Sequence, residues 1–201
     1  FKDSSSLEVA CIGTITDLMP MLAVNRSIVK FGLEELQKSQ RPGIKALCQQ
    51  AVIDQKMVES YPIGYVLGPR LNAMGRLGEA LESLRLLCTQ KSEDAYSLAF
   101  KLGSVNRQRQ ELTLETFAKV KQKSKSQFAG KKLIFISDES YNPGIIGLVA
   151  GKLVEKFCKP AIVISQGEEF SKSSVRSVKG FNIIKFLRQF EEDFEDLGGH
   201  P

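Results

Sequence analysis

The sequence has 201 residues, of which 42% are hydrophobic, 25% charged and 8% aromatic, a composition that excludes disordered and fibrous classes. Lys and Arg number 28 against 23 for Asp and Glu, giving a net charge of +5. The single histidine, His200, excludes zinc sites with two histidines and the HExxH helix, and any Ser-His-Asp or Cys-His arrangement must use His200 itself.

Residues 7–19 place apolar side chains at 7, 11, 15 and 18, a helical period, although their β-branched content also admits a strand. Asn25 is expected to cap an amphipathic helix over about 26–38, with Ile28, Val29, Leu33 and Leu36 on one face. Arg41-Pro42-Gly43 reads as a turn before a short helix ending near Ala51. The stretch from Ile63 to Leu77 is too apolar for a solvent loop and too rich in glycine for a plain core helix. A helix over about 79–88 follows.

Ser92 opens the longest periodic segment, with apolar or small residues at 95, 98, 102, 105, 112, 116 and 120, which predicts one helix to about Lys123. Residues 101–125 carry seven basic side chains and two acidic ones, a surplus equal to the net charge of the whole chain. Charge runs of this kind usually mark a solvated face, but Arg109 stands on the apolar stripe itself. The Ser/Lys/Gln-rich stretch near 122–131 reads as a linker.

After Gly130 the pattern becomes strand (131–137), helix (144–157) and strand (160–165), a βαβ crossover with a parallel pair. A further strand at about 173–178 and a helix over 182–194 complete a small α/β domain. The predicted organisation is residues 1–90, a connecting helix over 91–126, and a second domain over 127–201. Cys11, Cys48, Cys88 and Cys158 lie in apolar runs without CxxC spacing, which reads as reduced core cysteines. No run approaches the ~18 apolar residues of a membrane span. The start at Phe1 and the end directly after a Gly-Gly turn read as a piece of a longer protein.

Several segments bear chemistry. Asn142 suits a helix N-cap with Pro143 at the first helical position, and Gly144, Gly147 and Gly151 share a face, which serves either anion binding or tight helix–sheet packing. Asn72 and Arg76 are four apart, with Arg70 just upstream. Arginines in so apolar a stretch point to phosphate, the other reading being structural arginines bonded to carbonyls. Ser174 and Arg176 alternate onto one side of a strand with Val178, an arrangement that suits a phosphate or merely a polar strand face. Gly198-Gly199-His200 offers a backbone nest and an imidazole, or is a loop with an incidental histidine. Asp17 is a carboxylate in an apolar run and needs a metal, an arginine or a cap.

In order, GTITDLMP, NRSIVKFGLEEL, RPGIKAL, LGPRLNAMGRL, SYNPGIIGLVAGKLVEKFCKPAIVIS, SSVRS and GGH resemble the RecJ family, bacterial 5′→3′ exonucleases specific for single-stranded DNA within the DHH phosphoesterase superfamily. The resemblance covers nearly the whole chain. It implies an α/β fold: the mostly helical C-terminal part of a DHH phosphoesterase domain, a long connecting helix and a DHH-associated domain. It makes Asp17 a catalytic metal ligand of a two-ion Mn2+ or Mg2+ site. It assigns substrate contacts to Arg70, Asn72, Arg76, Ser174, Arg176, Gly198, Gly199 and His200, and a DNA track to Arg107, Arg109, Lys119 and Lys123. The activity implied is two-metal hydrolysis of phosphodiesters with release of 5′-mononucleotides, in repair and recombination in the bacterial cytoplasm. Single-stranded DNA is the implied partner, and a single-stranded-DNA-binding protein and a recombination helicase are the protein partners it suggests. The family's aspartate-rich and Asp-His-His motifs are not in this sequence, and Asn142 stands where the family has histidine. The chain by itself is therefore expected to be inactive. The alternatives are a phosphodiesterase for oligonucleotides or cyclic dinucleotides, and a non-catalytic DNA-binding relative.

Overall fold

Leu7–Thr16 is a helix, α1, because Cys11, Ile12 and Ile15 are buried along it and tertiary packing overrides their β-branched preference. The computed structural model describes residues 6–128 and 130–200, with 123–127 described through their backbone alone. The second helix, α2 (Ala23–Lys38), is entered from Leu22, not capped by Asn25. Asn25 lies in its first turn and donates from Nδ2 to the Pro20 carbonyl at 3.0 Å. The two helices meet at Gly32, where a Cβ would overlap that of Cys11.

Helix α3 (Pro42–Gln50) starts at Pro42 itself, so Pro42 and Gly43 belong to the helix and not to a turn before it, proline being suited to the first helical position. Arg41 before it donates from Nε to Oε1 of Glu8 at 2.6 Å, and Glu8 is only 6% exposed. A carboxylate so placed requires that partner. The glycine-rich stretch is helical after all: α4 (Ser60–Pro62), a π-helical turn over Ile63–Leu67, and α5 (Gly68–Leu77). Two of its glycines, Gly64 and Gly68, lie against the last turn of α1, and Gly68 is required there. A Cβ on Gly68 would overlap Thr16 Cγ2, and one on Gly64 would stand 3.5 Å from Ile15 Cγ2. Helix α6 (Leu81–Cys88) crosses α3 at Gly43, directly over the Leu86 carbonyl.

Helix α7 runs from Ser92 to Gln127, four residues past Lys123 and into the predicted linker. Lys, Gln and Ser carry no helix-breaking penalty comparable to glycine, and Gly130, with φ of 75°, lies just past the helix. Ala95, Leu102 and Val120 are buried on its stripe, together with the polar Asn106 and Thr113. The chain divides into two units, Phe1–Arg109 and Gln110–Pro201, and the division falls inside α7. The core of the first unit gathers α1 to α6 and the start of α7 around Leu36, Leu47, Ile63, Met74, Leu86 and Leu102.

In the second unit β1 (Ile134–Asp138), α8 (Ile146–Phe157), β2 (Ala161–Ser165) and β3 (Lys172–Arg176) form a sheet ordered β1-β2-β3. The predicted crossover is present: β1 pairs parallel to β2, with Ile134 opposite Ala161. Strand β3 is antiparallel to β2, with Ser174 opposite Val163 and Arg176 opposite Ala161. It ends at Arg176, so Val178 lies beyond the strand, in a turn where Ser177 Oγ donates to the Phe181 carbonyl. The helix predicted over 182–194 is broken into α9 (Ile183–Leu187) and a 3₁₀ stretch, Arg188–Asp193, with a non-helical Phe190. The acidic run Glu191-Glu192-Asp193 would stand at the negative end of an uninterrupted helix, which disfavours its continuation. Among the described residues no helix is long and apolar enough to cross a membrane.

Cys11 and Cys48 are core residues, and burial pushes both thiols up to about 11. Cys88 and Cys158 are exposed instead, because each lies at a helix end: Cys88 closes α6 and Cys158 caps α8 in the left-handed conformation, at φ of 51°. A thiol reagent at neutral pH should label Cys88 and Cys158 within minutes and Cys11 and Cys48 only after denaturant is added. Rapid labelling of all four in the native protein would contradict this core.

Candidate nucleic-acid interface

The first unit brings together residues that the sequence presents as separate motifs. Arg70 leaves α5 half-buried and is held twice: its Nε donates to Gln50 Oε1 and its Nη1 to the Val66 carbonyl, each at 2.8 Å. Burial, and then the nearby charge of Arg107, hold its guanidinium below the ordinary arginine value. Arg109 is lowered in the same way, first by burial and then by Arg76. Each arginine of α5 therefore stands near one of α7, Arg70 by Arg107 and Arg76 of the LNAMGRL segment by Arg109. Crowding like charges is unfavourable and is relieved by an anion that accepts from several guanidinium groups at once.

Gln50 was not marked by any signal in the sequence. Its amide lies against Gly103 of α7, where a Cβ would overlap it, and its oxygen orients Arg70. Gly103→Ala should displace Gln50 and release Arg70 Nε from its acceptor at little cost in stability, since only a side-chain tip must move. A crystal structure of the variant that keeps the Gln50–Arg70 bond would show that Gly103 does not set Gln50.

Asn72 and Arg76 are exposed on α5, one turn apart. Asp17 follows α1 and is exposed, not enclosed in an apolar run, because the helix ends at Thr16. Its backbone N–H donates to the Gly13 carbonyl at 3.0 Å, and Thr16 beside it packs on Gly68, so the end of α1 and the start of α5 adjoin. Among the described residues no group of three or more His, Cys, Asp and Glu side chains is placed to hold a metal ion. One exposed carboxylate can supply a single ligand but cannot by itself hold a two-ion centre, in which each ion takes about six oxygen ligands.

In the second unit Ser174 and Arg176 project from β3 onto the first turn of α8. A Cβ on Gly147 would stand 3.0 Å from Ser174 Oγ and 3.4 Å from Arg176 Nη2. The helix start thus serves close packing, and it also sets a hydroxyl and a guanidinium beside N–H groups that have no intrahelical acceptor. Asn142 is not the cap. Ile145 holds that position, and Asn142 Oδ1 accepts from the Gly144 N–H at 2.8 Å in a turn before the helix, which leaves Gly144 outside it. The other sheet face (Phe135, Ile162, Ile164) and the chain around 194–200 enclose a cavity of about 570 Å3, lined also by Ser174, Arg176, Gly198, Gly199 and His200. The cavity adjoins the backbone of all five substrate candidates of this unit, but the Ser174 and Arg176 side chains are directed to α8 on the opposite sheet face. Arg176 Nη1 donates to the Val175 carbonyl at 2.9 Å.

Lys119 is exposed on α7 within the second unit, and the side chain of Lys123 lies outside the described residues.

Residues 125–201 match the DHHA1 domain. The RecJ exonuclease of Bacillus subtilis is 36% identical over 197 residues, covering 97% of this chain and 25% of that protein. The RecJ of Thermus thermophilus is 32% identical, covering 96% and 28%, and that of Escherichia coli is 29% identical, covering 96% and 35%. The crystal structure of Thermus thermophilus RecJ with Mg2+ matches with a TM-score of 0.85 at 30% identity, over 96% of this chain and 30% of that one. A RecJ structure bound to manganese matches with a TM-score of 0.77 at 30% identity, over 90% and 45%. The chain spans about a quarter to a third of the length of these curated relatives.

Proposed function

The chain belongs to the RecJ family, and on that premise we propose that it grips the DNA strand in a 5′→3′ exonuclease that releases mononucleotides from single-stranded DNA. In this reading residues 1–90 are part of the phosphoesterase domain, 91–126 connect, and 127–201 bind the substrate end. The reaction of the whole protein is phosphodiester hydrolysis at a two-ion Mn2+ or Mg2+ centre, serving repair and recombination in the bacterial cytoplasm. This chain contributes Asp17 to that centre and does not complete it.

The role of its own residues is binding and orientation. Arg70, Arg76, Arg107 and Arg109 donate to backbone phosphates, with Asn72 donating beside them, and Lys119 and Lys123 add to the track on α7. Ser174 and Arg176 hold a phosphate at the start of α8, and the Gly198-Gly199-His200 loop closes over the terminal nucleotide. The observation that carries the reading is that two arginines of α5 each stand beside an arginine of α7, Arg70 by Arg107 and Arg76 by Arg109, with Arg70 held in place by Gln50 and the Val66 carbonyl.

The test is fluorescence anisotropy with a 5′-phosphorylated single strand and its duplex, each with Mn2+. The chain is expected to bind the single strand more tightly, with affinity falling steeply as salt rises, and to leave it uncut. Equal affinity for both forms would overturn the single-strand reading, and release of mononucleotides would overturn the incompleteness of the metal centre.

A further inference from the structure

Tyr61 and Tyr65 form a stacked pair that no motif of the sequence marks. Their ring centroids are 4.6 Å apart with planes inclined by 25°, and the residues are 69% and 70% exposed. Tyrosine rings left so open are unusual, because each presents apolar faces that gain by being covered. The inner faces of this pair cover each other, and the outer faces are open to solvent.

The placement of the pair points to its ligand. Tyr61, Tyr65, Asn72 and Arg76 lie in one helical run, from α4 through the π-helical turn to α5. Their steps of four, seven and four return to the same side of a helix. Asn72 and Arg76 are exposed too, so the stripe is open along its length. Gly64 and Gly68 are on an adjacent side, occupied by Ile15 and Thr16 of α1, so the stripe runs beside the helix end that carries Asp17. One end of it is aromatic and the other is cationic, with Arg109 near Arg76. A ligand that fits both ends has flat apolar faces and negative charges repeated along one chain, which describes a single nucleic-acid strand. A duplex does not fit, because its bases are already stacked on one another and offer no free face.

We propose that Tyr61 and Tyr65 are a nucleobase-stacking platform, on which an unpaired base of the strand extends the tyrosine stack while Asn72 and Arg76 hold its phosphates. The platform rests on the strand-binding function proposed above and adds a site for the bases to the sites for phosphates. Stacking on tyrosine is sequence-tolerant, since every base has a π-face, and it imposes single-strandedness directly.

The sequence contains four tyrosines and no tryptophan, so its intrinsic fluorescence reports on tyrosine alone. The experiment compares an oligothymidylate with an abasic oligonucleotide of equal phosphate count, titrated into the unaltered chain, Y61A/Y65A and Y61F/Y65F. The unaltered chain should prefer the oligothymidylate by about tenfold and lose tyrosine emission on binding it. Y61A/Y65A should lose that preference while keeping its affinity for the abasic strand and its salt dependence, and Y61F/Y65F should retain it. If Y61A/Y65A keeps the preference, or the unaltered chain binds both oligonucleotides equally well, the platform is overturned and strand binding stands. If the unaltered chain binds neither, the strand-binding function falls and the platform with it.

Discussion

Changing Arg76 and Arg176 together to alanine is expected to lower affinity for a single strand by on the order of a hundredfold at low salt. Each arginine belongs to a different cluster, Arg76 beside Arg109 in the first unit and Arg176 over Gly147 in the second, so their losses should multiply. Charge-assisted bonds to phosphate are stronger than neutral ones, and each lost contact should flatten the salt dependence of log K by about one. The double variant should therefore show a slope shallower by about two. Lys56→Ala with Lys156→Ala removes the same net charge at exposed positions outside both clusters and is the control. If it weakens binding equally, the interaction depends on net charge alone and the clusters have no special part in it.

The second large effect concerns the first unit's framework. Gly43→Ala should destabilise the protein by about 3 kcal/mol, because the added Cβ would overlap the Leu86 carbonyl oxygen and stand 2.7 Å from its carbon. These are backbone atoms of α6, so no rotamer change relieves the clash and α3 must move away from α6. The melting temperature should fall by on the order of 10 °C. Gly13→Ala is the contrasting case, since nothing lies within 4 Å of a Cβ at that helical position. It should be neutral or stabilising by about 0.5 kcal/mol through reduced freedom of the unfolded chain. A Gly43→Ala protein that melts with the parent would refute the close crossing of α3 and α6.

The same pair of glycines shows where the sequence is readable. Gly13 stands in an apolar periodic run and Gly43 in what reads as a turn, yet it is Gly43 that the helix packing requires. Whether a glycine is required depends on what crosses above it, which is a property of another segment. The stretch 63–77 illustrates the same point: its glycines look too numerous for a helix until α1 is laid across Gly64 and Gly68. Asn142 illustrates the opposite error. A side chain suited to capping was placed at the cap by local rules, yet the helix starts three residues later and Asn142 serves the turn before it. Cys88 and Cys158 fail as core residues for a related reason, because apolar neighbours in sequence do not decide the direction of a residue at a helix end.

Periodicity, turn residues and composition were sufficient for the sequence to determine the amphipathic helices, the βαβ unit and the long basic helix. These depend on local spacing, with periods of 3.6 and 2 that any short window contains. The tertiary structure alone decided that Arg70 and Arg76 stand by Arg107 and Arg109, that Gln50 orients Arg70, and that Ser174 and Arg176 lie on the first turn of α8. Such juxtapositions arise from packing between segments some thirty residues apart, where the cost of bringing the chain ends together grows only slowly with their separation and no local pattern records the partner. The net charge of +5 was legible from composition. Its concentration into places where a phosphate can be held was set by the way the helices cross.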